Sequence, residues 1–410
     1  MLHHKSILRL FYFHVLILGI YIIGVKSLNP AGRLAHSSVL VGSKLYIFGG
    51  YAIFFTSDEA LYIDLTEPFD ATAPPWGVSS PIPVRNSWTT TTLANDSIYL
   101  FGGIMRDVED SEITLSSFTY RFNTNSEQWD VPVIKGIEPA KRRNMKAVVD
   151  DTGKIYLFGG FTDQLTGSDT ARILYDLITF NTNELTFESV KAPIRRDHYT
   201  ATILPDGKIV FIGGREKNAE GILEADINRI ILYDTKEATW SAMHAKSTDR
   251  IDSRYLHSAV FAPGNRIIIC GGSRANLAEK NFRVTPDIAV LNTQRIPFEW
   301  TVPKVSSNID KFPSLAAHTA NLVGYYMIVA FGNLTLPDAP PEDLSSSIYL
   351  LDIRNYTWVN TFEPLSAQSP LVQTLDASIL TLFFIITSGI IVAAFVGSRL
   401  SKKESKIKEQ

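Results

Sequence analysis

Lys44-Leu45-Tyr46-Ile47-Phe48-Gly49-Gly50 settles the architecture, because near copies of it recur five more times. The second glycines are Gly50, Gly103, Gly160, Gly214, Gly272 and Gly332, so successive copies begin 53, 57, 54, 58 and 60 residues apart. In the last five copies an Asp or Asn follows that glycine by 20 or 21 residues, at Asn123, Asn181, Asp234, Asn292 and Asp352. An aromatic comes six residues later at Trp129, Phe187, Trp240 and Trp358, and eight later at Trp300. The first copy runs from Asp64 to Trp76 through a proline-rich insertion. A register held this tightly marks a ring of repeated units.

Each copy reads as four short strands, as in Ser37–Val41, Lys44–Phe48, Ala60–Asp64 and the segment at the tryptophan. Gly, Asn and Asp turns join the first two strands, at Val41-Gly42-Ser43, Asn95-Asp96 and Pro263-Gly264-Asn265 among others. A lone four-stranded sheet cannot cover both of its faces, so the sheets are expected to pack radially, with the aromatics wedged between them. The pattern resembles the kelch repeat family over residues 30 to about 362, which implies an all-β, six-bladed kelch-type β-propeller. Copy six departs with Ala330-Phe331-Gly332, and copy three carries Phe187 in place of tryptophan. Inner strands begin in copy one and the Trp strand ends copy six, so the ring is expected to close without an exchanged strand.

The flanks point to the secretory pathway. Residues 1–27 carry Lys5 and Arg9, then the apolar stretch Leu10 to Val25, then Ser27, which reads as a cleaved signal peptide or, alternatively, a retained signal anchor. A propeller is expected over 28–365, a juxtamembrane linker over 366–376, a transmembrane helix over 377–398 and a basic cytosolic tail over 399–410. The positive tail places residues 28–376 on the luminal or extracellular side, a single-pass type I arrangement of the plasma membrane or endoplasmic reticulum. Sequons at Asn95, Asn333 and Asn355 are candidate glycosylation sites. Gly389, Ala393 and Gly397 form a small-residue face suited to a homodimer. Lys406 and Lys408 resemble a dilysine recycling signal, which fits a sorting receptor.

Arg-x-x-His recurs ahead of the first strand at Arg33/His36, Arg195/His198 and Arg254/His257, with His318 in the same place in copy six. Trp88 follows Arg85 and Met145 follows Arg142 at the same spacing. In kelch propellers this segment shares a rim with the loops after the glycine pair. The candidate binding face is therefore Arg33, Arg85, Arg142, Arg195 and Arg254 with Tyr51, Phe161, Arg215 and Ser273. Five guanidinium forks suit an acidic peptide or glycan, although the same arginines could pair with acids of adjoining blades. A net charge of −3 without a basic stripe argues against nucleic acid.

No cofactor or metal is expected. Galactose oxidase-type copper enzymes resemble this blade pattern and give the enzymatic alternative, but they need a cysteine crosslinked to tyrosine. The single cysteine, Cys270, sits in a strand just before Gly271 and reads as a buried apolar residue. The acids Asp107, Glu109, Asp110 and Glu112 read as a solvated loop, and no catalytic motif appears. The function expected is a membrane-anchored module that binds a protein or glycan.

Overall fold

A computed structural model describes residues 28–52, 55–109, 117–218, 221–274, 283–308, 312–335 and 343–365. The signal segment 1–27, the linker 366–376, the helix 377–398 with Gly389, Ala393 and Gly397, and the tail 399–410 lie outside the described residues. Among the described residues no helix is long and apolar enough to cross a membrane. All the strands lie in one compact unit that ends at Phe362; the described residues of the second unit, Thr66–Pro68 and 363–365, carry none.

Each of the six sequence copies forms its own antiparallel sheet. Copy one supplies Ser37–Val41, Lys44–Phe48, Ala60–Asp64 and Trp76–Val78, paired in that order. The other five follow the same plan, and in copies five and six the outermost strand gains a short parallel partner, Lys246–Ser247 and Ser306–Ser307. Among the described residues no strand from the far end of the chain completes the first sheet. A two-residue ladder between Thr361–Phe362 and Phe69–Asp70 joins the ends instead.

Strand alternation explains why sheets pack in a circle. Along the second strand of copy one, Leu45 and Ile47 face the sheet of copy six, while Tyr46 and Phe48 face that of copy two. Six apolar clusters result, one at each junction, and the junction of copies six and one joins Leu45, Ile47, Leu61 and Ile63 to Ile328, Ile348 and Leu350. Trp76, Trp129, Phe187, Trp240, Trp300 and Trp358 each occupy a different junction. The repeated aromatic is the wedge that the sequence pattern called for. Burying a ring of this size is worth several kcal/mol, roughly 3–5 on truncation.

The repeated Asp or Asn has a local cause. Asn123, Asn181 and Asp234 each accept two backbone N–H bonds through Oδ1, from residues two and three further on. This folds the turn into the outermost strand. The glycine pair is equally explicable. The first glycine has φ of 56–60°, a left-handed conformation that Phe331 also adopts in copy six. The second lies at φ 87–104°, and at Gly332 a Cβ would come within 2.7 Å of His318 Cβ. Only the second position therefore demands glycine in every copy.

Candidate binding surface

Two closed circuits of backbone hydrogen bonds run around the axis. In the first, the second glycine of each copy donates to a carbonyl of the next: Gly50 to Asn86, Gly103 to Arg142, Gly160 to Arg196, Gly214 to Arg254, Gly272 to Leu315 and Gly332 back to Arg33. In the second, Ala35, Trp88, Asn144, His198, Leu256 and Ala317, all at φ 54–64°, each link to the next around the axis at 2.8–3.3 Å. These circuits fix the true register of the repeat near the axis.

That register corrects the arginine ring. Arg33, Arg142 and Arg254 are 0–2% exposed. In each, Nε donates to the carbonyl two residues back and Nη1 to the carbonyl of the first glycine, at 2.9–3.2 Å. Arg33 also pairs with Glu59 at 2.6 Å, and Arg142 with Asp176 at 2.6 Å. They pin one sheet's entry to its own second strand. Their acids belong to their own copies, not to adjoining ones. In copy four the buried position is Arg196, paired with Glu216, so Arg195 is one residue outside the ring. In copy two it is Asn86, which leaves Arg85 in a short ribbon opposite Arg106. His198 shifts likewise, and only His36, His257 and His318 share one position.

The residues after the second glycine do form a rim. Tyr51, Ile104, Phe161, Arg215, Ser273 and Asn333 pair across short antiparallel ribbons or bridges with Leu34, Ser87, Arg143, Asp197, Tyr255 and Ala316. Chemistry concentrates in copies three to five. Asp197, fully buried, takes a bidentate bond from Arg215 at 3.0 and 2.6 Å and lies 2.9 Å from His198 Nδ1. Burial raises its pKa, but His198 and Arg215 outweigh that and hold it at about 2. Arg215 lies over Phe161 and Tyr255, while Arg143 lies over Phe161 and pairs with Asp163 at 2.5 Å. Phe161 and Arg215 are thus found where the sequence put them. Arg143, Asp197 and Tyr255 escaped notice, though each directly follows or precedes a residue that was named.

Beside this rim, copy three holds a groove of about 720 Å³, within the usual range for ligand sites. Arg142 lines its inner wall, and Arg172, Tyr175, Lys191 and Arg195 line the remainder. The Arg195 guanidinium lies 4.4 Å from the centre of the Tyr175 ring, and the Lys191 ammonium 5.5 Å from it. Arg195 spends one donor on the Ile173 carbonyl. Among the described residues no carboxylate lies within ion-pair distance of Arg172, Lys191 or Arg195. The groove's acids are engaged elsewhere: Asp176 with Arg142, Glu188 with Lys154, and Glu138 with the copy-two segment at Ser117 and Phe118. Ile137, 89% exposed, adds an apolar lip.

Burial pushes the imidazoles of His36, His257 and His318 below their ordinary value, the last to about 3. Nε2 of each meets a hydroxyl of the preceding copy, Thr319, Thr200 and Ser258 respectively, at 2.8–3.1 Å. No group of three or more potential metal ligands occurs among the described residues. Cys270 is fully buried and its thiol pKa is raised by desolvation, away from any reactive state. Of the sequons, Asn95 and Asn355 are exposed at turns, whereas Asn333 lies in the rim ribbon with its Oδ1 buried.

Fold and rim together define a kelch-repeat propeller. The KLHDC2/KLHL20/DRC7 kelch-repeats domain model matches residues 88–333, and the chain belongs to that family. It is 28% identical to rat Kelch domain-containing protein 3 over 268 residues, covering 60% of this chain and 65% of that one. It is 24% identical to human Kelch domain-containing protein 10 over 286 residues, covering 66% of this chain and 60% of that one. Less than two thirds of either relative's length is therefore represented. The solved structure titled "Structure of YjhT" shares the fold, with a TM-score of 0.61 at 13% identity over 81% of this chain and 98% of its own.

Proposed function

We propose that this chain contains a six-bladed kelch propeller that binds an acidic segment of a protein partner in the copy-three groove. Kelch domains generally mediate protein interactions, and the relatives are kelch domain-containing proteins. The observation that carries the finer reading is the trio Arg172, Lys191 and Arg195 lining one groove, the last two at Tyr175, with no acid of their own among the described residues. Guanidinium forks recognise carboxylates bidentately, and an adjoining tyrosine and exposed Ile137 favour a polypeptide over a glycan. The test is binding of a fluorescent Glu/Asp-rich peptide and its Gln/Asn counterpart to the full chain. Preference for the acidic peptide, lost in Arg195→Glu, is expected; equal binding of the two peptides, or no loss in the variant, would refute the groove.

The membrane reading rests on the apolar segments 10–25 and 379–397 and the basic tail. It makes the propeller luminal or extracellular on a type I anchor, with Asn95 and Asn355 the accessible sequons and Gly389, Ala393 and Gly397 a helix-pairing face. Resistance to carbonate extraction together with endoglycosidase sensitivity is expected; a freely extracted, unglycosylated chain would overturn it.

A further inference from the structure

The axial channel contains one feature that ligand binding at the groove does not use. At the position following His36, Thr89, Met145, Tyr199, His257 and His318, five copies present a hydroxyl: Ser37, Thr90, Thr200, Ser258 and Thr319. Copy three presents Lys146 instead. It lines both axial cavities, of about 50 and 150 Å³. His36, His257 and His318, on the sheets of copies one, five and six, line the first cavity with it.

No carboxylate lines either cavity. The buried histidines are neutral, as established above. Burial alone lowers the Lys146 pKa, with no acid opposing it. Lys146 is half-buried, and a partly desolvated cation without a counter-charge still forfeits part of its hydration. Here a counter-ion can be supplied from solution. The Nδ1 atoms of His36 and His257 have no hydrogen-bond partner. With the proton placed on Nε2, each ring donates to Thr319 or Thr200 and frees that hydroxyl's hydrogen to point inward. A ring of inward O–H donors around an ammonium is an anion-binding environment. At about 30 Å³ per water, the larger cavity holds about five waters, or one small ion with part of its shell.

We propose that Lys146 and the axial hydroxyl ring bind one halide-sized monovalent anion, which neutralises the channel and ties the six sheets together at their centre. The experiment uses the full-length chain and bromide as probe. Thermal unfolding in sodium bromide is compared with sodium gluconate at equal ionic strength, for the wild type and Lys146→Thr, which installs the side chain that copies two, four and six already carry. The wild type is expected to melt higher in bromide, saturably, and the variant to lose that rise, with bromide affinity falling at least about tenfold. Crystals of the wild type in bromide should show an anomalous peak against Lys146 Nζ. An equal bromide response in both proteins, no bromide-specific response in the wild type, or a channel holding water alone would overturn the proposal.

Discussion

Arg142 and Arg195 line the same groove, yet Arg142 is 2% exposed, with its donors committed to Ala140, Gly159 and Asp176, while Arg195 stacks on Tyr175 and bonds a single carbonyl, that of Ile173. One residue type thus serves the groove in two ways, as scaffold at Arg142 and as a stacked, lightly bonded side chain at Arg195. Position relative to the glycine pair decides which role an arginine takes. Where the first-glycine carbonyl lies within reach, the side chain is absorbed into the fold; Arg195, one residue away, is half-buried and stacks on Tyr175 instead.

The comparison breaks most sharply on stability. Arg142→Ala leaves two backbone carbonyls and the Asp176 carboxylate without their donor, and is expected to lose roughly 3–5 kcal/mol. Arg195→Ala gives up one carbonyl bond and should stay within about 1 kcal/mol. Urea unfolding of the two variants side by side measures this, and equal losses would erase the distinction between the two arginines.

A second effect comes from the axial histidines. The folded-state pKa values of His36, His257 and His318 lie below the unfolded value near 6.5, so as pH falls the unfolded chain takes up protons first. Their contribution is intact above pH 6.5 and declines below it, by about 1 kcal/mol each and roughly 3 together between pH 6.5 and 5.5. Urea midpoints at pH 7.5, 6.5 and 5.5 should show this fall, and His257→Asn should reduce it by about a third. A flat profile would mean that these rings are not held neutral in the folded state.

Much of this was legible in the chain, and the errors were local. The glycine pairs, the Asx turns and the aromatics gave the sheets, their number and their junctions, because each answers to a short-range requirement. The Arg-x-x-His spacing selects Arg195 rather than the adjacent Arg196, because His198 stands three residues after it. Counting back from the first glycine would have resolved it: the ring position lies 16 or 17 residues before, at Arg33, Asn86, Arg142, Arg196, Arg254 and Leu315. The groove had no such signal. Arg172, Tyr175, Lys191 and Arg195 are spread over three segments that only the folding of copy three brings together.

The amino-acid sequence alone determined that six small sheets form, where each begins and turns, and which aromatic fills each gap, since backbone conformation and strand alternation are set by neighbours a few residues away. The tertiary structure alone decided which cations are paired inside the fold and which are not, and that one lysine lines the axial cavities among hydroxyls. Burial and pairing depend on what distant segments place around a side chain, and no local pattern encodes that.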